Sequence, residues 1–364
     1  CAGVRSAATS AYIRSVVRVV SARCSFCIRC RSSAARLTIG RIAFCCSGVG
    51  LSRWVSWRIT CGAMPLAVAG AAGTVATGLL AQPLAAMVSP FVLYLSMGAM
   101  FLSALRIDPR QLKAWAQRTR LMAAVWVWTL LIVPAVVWLA LPWLNLPVYM
   151  GVGLLLLAAT PPIISVGPYC ALLGTDAEML LTVVLPATVI SIVTLPLFAA
   201  LSGVAGLSPG GMLMNLLWVV GISLGGGFAL RVWATPERIE QNASAWTLCM
   251  VLLMVFIALG VTHGLTAQIT QDPAQVLQLL ALTALFNLAW QWAGWQVFKR
   301  LSVQAAMSIS LISGFRNVAV LLGLVLGHVT PDLQLMLVMA QIQLFVLPSV
   351  MKHFYLRMGL SPTP

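Results

Sequence analysis

Residues 310–323 read SLISGFRNVAVLLG, and Arg316 is the one charge in that apolar run. An arginine keeps its proton at any physiological pH, and near the centre of a bilayer it costs at least about 2.5–3.5 kcal/mol on insertion scales. It must therefore face the protein interior or water, and it needs partners. Its planar fork of N–H donors suits backbone carbonyls, or a carboxylate, sulfonate or phosphate on a ligand. A second unusual stretch, TPPIISVGP at 160–168, sets Pro161, Pro162, Gly167 and Pro168 in the middle of an apolar segment. Each proline removes an amide donor and clashes with the preceding turn. Ser313 and Gly314, just before Arg316, form a weak point in their own segment. Thr160, Ser165 and Asn317 supply polar groups around the two breaks. Asn287 and Gln291 stand at i and i+4 on one face of a neighbouring segment. They suit interhelical hydrogen bonding, or contact with a substrate.

Little else points to chemistry. An enzyme working inside a membrane would need two aspartates, a serine with a histidine, or an H-E-x-x-H pair at depth, and none occurs, so no catalytic residue is assigned and the chain is not expected to be an enzyme. Cys24, Cys27 and Cys30 have a C-x-x-C-x-x-C spacing that could suggest an iron–sulfur or zinc site. No fourth ligand follows at the usual offset, so neither metal nor cofactor is expected. Cys170 and Cys249 lie in apolar spans and read as small buried hydrophobes. NLAWQWAGWQ at 287–296 could stack on a ring or anchor at the membrane interface, and His263 and His328 fit interfacial positions.

These residues are carried by a chain of 364 residues that is 61% hydrophobic and 8% charged, against the roughly 25% charge of an ordinary soluble domain. That composition is one of an all-α polytopic membrane protein. The net charge of +15 invites a nucleic-acid reading, but ten of the 22 basic residues are arginines in the first 63 positions, a stretch with no acid. From Met64 onward twelve basic residues face seven acidic ones, a surplus of five that membrane topology explains. No nucleic-acid partner is expected; the lipid bilayer is. Residues 1–63, rich in Arg, Ser and Cys, read as sequence upstream of a start at Met64 or as a targeting leader, and residues 64–364 as the functional domain.

With about twenty apolar residues per crossing, ten spans fit: 65–84, 88–105, 120–142, 148–172, 178–201, 211–232, 243–263, 275–297, 302–327 and 333–354. Arg106, Arg110, Lys113, Arg118 and Arg120 follow the second, Arg231 and Arg238 the sixth, Lys299 and Arg300 the eighth, and Lys352 and Arg357 the tenth. The connections on the other side hold no Lys or Arg. The positive-inside rule then puts both termini in the cytoplasm, with Arg316 as the exception at depth. The broken spans are the fourth and the ninth, each the fourth of a set of five. A unit of five inserted twice must be inverted the second time, giving repeats at about 65–201 and 211–354. Breaks at matching places in two inverted halves mark a transporter's binding site. Spans 4 and 9 are expected to cross near the bilayer midplane.

Residues 64–364 resemble the bile acid:sodium symporter superfamily, as a divergent bacterial-type member. GAMFLSALRIDPRQL at 98–112 is similar to its second span and loop, ATPPIISVGPYCALLGTDAEMLL at 159–181 to its fourth, and SGFRNVAVLLGLVLG at 313–327 to its ninth. The resemblance implies a core domain and a panel domain, alternating access between them, an inner-membrane location and sodium-coupled transport of organic anions. It also implies a ninth-span motif E-x-G-x-Q-N. Aligned on Gly314 and Asn317, Ile312 stands at its Glu and Arg316 at its Gln. Aligned on Pro161, the fourth-span motif P-G-G-T-x-S-N finds Ile164, Val166 and Gly167 at Thr, Ser and Asn.

Hard cations need oxygen ligands, so the sodium sites read as degraded and sodium is not expected as a partner. The expectation is a sodium-independent secondary transporter of small organic anions, with Ser313, Gly314, Arg316, Asn317, Thr160, Pro161, Pro162, Ser165, Asn287 and Gln291 at the crossover. A passive channel or uniporter, or a membrane sensor, is the alternative. Three roles stay open for Arg316: a tethered cation in place of sodium, a contact to an anionic substrate, or a structural tie. Asp176 and Glu178, the nearest acids, sit at the edge of their spans, too far off to favour direct pairing.

Overall fold

Proline and small polar residues start many of the helices. Ser208 and Ser302 accept from the amides of Gly211 and Ala305, Asp272 accepts from Gln275, and Pro209 and Pro273 occupy first-turn positions, where a missing N–H costs nothing. A computed structural model describes residues 73–107, 119–164, 169–170, 173, 175, 177–203, 208–325 and 328–357. All belong to the second of the two units into which the chain divides, Ser56–Pro364. The leader at 1–63, with its cysteine triplet, lies outside the described residues, as does Ser165.

After a helical stretch at 73–80 come α1 (Gln82–Val88), a 3-10 turn, and α2 (Val92–Arg106). α3 (Thr119–Val127) passes through a π-turn (Trp128–Ile132) into α4 (Val133–Leu144). Then follow α5 (Val148–Ala159), α6 (Ala177–Leu201), α7 (Pro209–Trp233), α8 (Pro236–Gln241), α9 (Ala243–Val261), α10 (Leu265–Gln271) and α11 (Pro273–Phe298). α12 (Val303–Gly314), α13 (Val318–Val325) and α14 (Pro331–Arg357) complete the order. Among the described residues there is no strand, only one antiparallel bridge, between Pro162 and Arg316.

Among the described residues seven helical runs are long and apolar enough to cross a membrane, while α5 and α12 are shorter apolar helices. The shorter pair is the better buried. Every residue from Met150 to Ala159 in α5, and from Ala306 to Gly314 in α12, is buried, whereas only 22% of the apolar window of α11 is. The long helices turn Trp143, Trp218, Trp233 and Trp292 outward, as an apolar solvent allows. Broken backbone inside a membrane needs protein around it, because lipid offers no hydrogen bonds, and the burial of α5 and α12 meets that condition.

Three details differ from the sequence expectation. The ten spans put the first turn at 85–87, but it falls at Ala81, where Pro83 helps start α1. Gln82 holds it there: its Nε2 donates to the carbonyls of Gly78 and Thr262, and its Oε1 accepts from the Gly264 amide. The loop expected after span 7 contains α10, which begins at Gly264 in the left-handed region (φ 75°). Cys170 is buried as expected, but Cys249 is exposed; an outward thiol meets no penalty in an apolar surrounding.

Candidate functional site

A proline pair ends α5. Thr160 precedes Pro161 and adopts ψ 139°, since proline pushes the residue before it out of the helical region. α12 stops at Gly314, with Phe315 extended at ψ 106°. The two extended segments pair: the Ile163 amide donates to the Phe315 carbonyl at 3.0 Å and the Asn317 amide to the Pro161 carbonyl at 2.8 Å. Pairing satisfies backbone groups that the breaks leave without helical partners. Thr160, Pro161, Pro162, Ser313, Gly314, Arg316 and Asn317 thus meet in one place.

Arg316 is 2% exposed. Its Nη1 donates to the carbonyl of Thr129 at 3.0 Å and of Thr160 at 3.2 Å, and Nη2 has no partner among the described residues. Both acceptors have a local cause. Thr160 caps the C-terminus of α5, where carbonyls lack helical donors and the helix dipole favours a cation. Thr129 lies in the π-turn. The Val133 amide, which an α-helix would give to Thr129, bonds the Trp128 carbonyl instead, and the next position is Pro134, which has no N–H. A proline in the third span has left one carbonyl open, and the guanidinium fills it. Asp176 lies outside the described residues, and the side chain of Glu178 is not described.

A web of side chains holds the end of α12. Asn287 Nδ2 donates to the Gly314 carbonyl at 3.1 Å, and Gln291 Nε2 donates to Asn287 Oδ1. Ser310 donates to the Gln291 carbonyl at 2.7 Å, and Tyr355 to Gln291 Oε1 at 3.4 Å. Trp128 Nε1 donates to Ser313 Oγ at 3.0 Å, its ring set edge-on to Trp290 and Phe298. Asn287 and Gln291 therefore bind the crossover from behind, as interhelical hydrogen bonds. The close approach needs glycine: a Cβ on Gly314 would stand 2.5 Å from the Asn287 carbonyl oxygen. Of the tryptophan-rich stretch, Trp290 packs inward and Trp292 faces out. His263 and His328 are exposed.

Side chains alternate across an extended segment. Arg316 turns to the carbonyls of Thr129 and Thr160, while Asn317 lines a cavity of about 20 Å³ on the other side, with Ser96, Ile163, Ile164, Ala319 and Gln341. Ile312 and Ile164, aligned with the oxygen ligands of the resembled motifs, are fully buried in the apolar core. The sequence reading missed the Thr129 carbonyl and the cavity. The proline in LLIVPAVV was the available signal for the first; the second brings together distant segments and had none.

Residues 90–269 match the profile of the Sodium Bile acid symporter family. The matched stretch takes in the π-turn and the break after α5, and stops short of Arg316. No curated protein matches the chain. With its apolar helices and its family match, the chain is an integral membrane protein belonging to the sodium bile acid symporter family, whose members are transporters of small molecules and not enzymes.

Proposed function

We propose that the protein is a secondary transporter of small organic anions that works by alternating access without sodium. The observation that carries this reading is the pair of carbonyls, Thr129 and Thr160, held by Arg316 Nη1. A hard cation is bound by such oxygens, and here a cation tethered to the chain already occupies them. Ile312 and Ile164, at the positions aligned with the motifs' oxygen ligands, offer no oxygen. A fixed charge keeps the crossover open and leaves a positive field for an anion. Of the three roles open for Arg316, the tethered cation is favoured, because the guanidinium turns away from the cavity.

In this reading the fold is ten spans in two inverted halves, about 65–201 and 211–354, with both termini in the cytoplasm and the protein in the plasma (inner) membrane. The breaks after α5 and α12 support it, since they fall at matching places and pair with each other.

The test is uptake of labelled organic anions into liposomes carrying the protein, with and without a sodium gradient, for the parent and Arg316→Gln. Uptake that is saturable, indifferent to sodium and lost in the variant supports the proposal. Sodium-stimulated uptake that survives the substitution overturns it and makes Arg316 a structural tie. Flux without saturation indicates a channel.

A further inference from the structure

Gly227 lets α7 lie directly on α2: a Cβ there would stand 2.6 Å from the Phe101 carbonyl oxygen and 2.8 Å from Ala104 Cβ. Arg231 follows one turn later on the same face. Its Nη1 reaches across and donates to the Leu105 carbonyl at 2.7 Å, in the last turn of α2, where carbonyls lack helical donors and the dipole favours a cation. That bond fixes the guanidinium in place but uses only Nη1. Its remaining N–H groups have no partner among the described residues, and the protein does not close over them.

Two more arginines belong to the same corner. Arg106 is the last residue of α2. Arg238 lies exposed on α8, next to Ile239, which is buried in a small core of its own with Leu102 and Leu105 of α2 and Met250 of α9. That core holds α8 beside the end of α2. Among the described residues the one acidic side chain on these elements is Glu237, and it occupies the first turn of α8, where the helix dipole accounts for a negative charge. The corner is left with a surplus of positive charge.

The surroundings set its depth. Val232 is 87% and Trp233 79% exposed, directly after Arg231. An apolar pair so open in an integral membrane protein meets lipid, and tryptophan collects at the level of the headgroups. An arginine beside it holds its donors where phospholipid phosphates lie. The planar guanidinium suits phosphate oxygens, and the surplus of positive charge favours a headgroup with a net negative charge over a zwitterionic one.

We propose that the corner where α2 and α7 end binds the phosphate of an anionic phospholipid, with the open N–H groups of Arg231 donating to its oxygens and with Arg106 and Arg238 adding positive charge. The bound lipid clamps α2 to α7. None of these residues belongs to the crossover, and the site does not depend on what the protein carries.

The test is the melting temperature of the purified protein in detergent as phosphatidylglycerol, or phosphatidylcholine with the same chains, is added. Phosphatidylglycerol is expected to raise it further, and saturably. Its half-saturating concentration is expected to rise roughly tenfold in Arg231→Gln, which loses a charged donor, and by a smaller factor in Arg238→Gln. Lys299→Gln, a basic position at the end of α11, is expected to behave as the parent. Glycerol 3-phosphate carries the phosphate without the chains and is expected to give no shift. Arg231→Gln also breaks the bond to Leu105; if it fails to fold, Arg106→Gln and Arg238→Gln decide the question, because neither side chain bonds another residue among the described ones. Equal shifts from the two lipids, a preference for phosphatidylglycerol unchanged by the arginine substitutions, or a shift from glycerol 3-phosphate as large as that from the lipid overturns the proposal.

Discussion

Arg316 and Asn317 are neighbours in the chain and serve opposite sides of one extended segment. On the Arg316 side, carbonyls left open by Pro134 and Pro161 are filled by a cation the chain carries with it. On the Asn317 side, polar atoms of Ser96 and Gln341 have no partners among the described residues around a small cavity. A buried polar group that is satisfied within the fold holds one arrangement more firmly than one that is not. The match on the Arg316 side is itself incomplete, since Nη2 has no partner among the described residues, so the two sides differ in degree: one holds a charge by two carbonyls, the other holds only neutral groups.

The strongest way to break that contrast is to remove the cation. Arg316→Gln is expected to cut anion uptake by more than tenfold, since the two carbonyls lose a charged donor whose hydrogen bonds are worth about 1.5–3 kcal/mol; the liposome assay reads this directly. If the variant instead gains sodium-dependent uptake, the tethered-cation reading is sharpened, because an ion has replaced the side chain.

Gly314→Ala strikes the support behind both sides. The new methyl would meet the Asn287 carbonyl at 2.5 Å, and overpacking of this kind costs about 1–3 kcal/mol, measurable as a lower melting temperature in detergent. Asn287→Leu removes the donor to the Gly314 carbonyl and is expected to cost about 1–2 kcal/mol by the same measurement. Uptake should fall with stability in both cases and sodium dependence should not change.

Pro134→Ala is the mildest and the most discriminating. It restores an amide that can bond within its own helix, in competition with Arg316 for the Thr129 carbonyl. Stability should shift by less than about 1 kcal/mol, while uptake drops by a few-fold. Unchanged uptake would mean that the Thr160 carbonyl alone suffices to seat the guanidinium.

Much of this was legible in the sequence, for identifiable reasons. A 61% hydrophobic chain in which eleven of the twelve basic residues after Met64 fall between apolar segments can hardly avoid crossing a membrane. Pro161 and Pro162 must break a helix, because the missing amides and the ring clash are local facts. An arginine in an apolar segment must be buried with partners, and it is. Gly314 and Ser313 marked the second weak point correctly.

What the sequence left open is what depends on contacts between distant residues. Which helices Asn287 and Gln291 touch is set by how α11 packs: Asn287 bonds the Gly314 carbonyl at the end of α12, and Gln291 bonds Asn287 and accepts from Tyr355 of α14. Backbone carbonyls were among the partners expected for Arg316, but which ones was open, and one of the two is freed by a proline 182 positions earlier. Ser96 could not be told from any other helical serine until its neighbours were in place. Local chemistry, written residue by residue, determined that apolar helices cross a membrane, where two of them break, and that the charge is buried. Only the tertiary structure decided which open carbonyl meets the charge and which polar atoms remain unpaired, because those depend on how helices pack and not on any one of them.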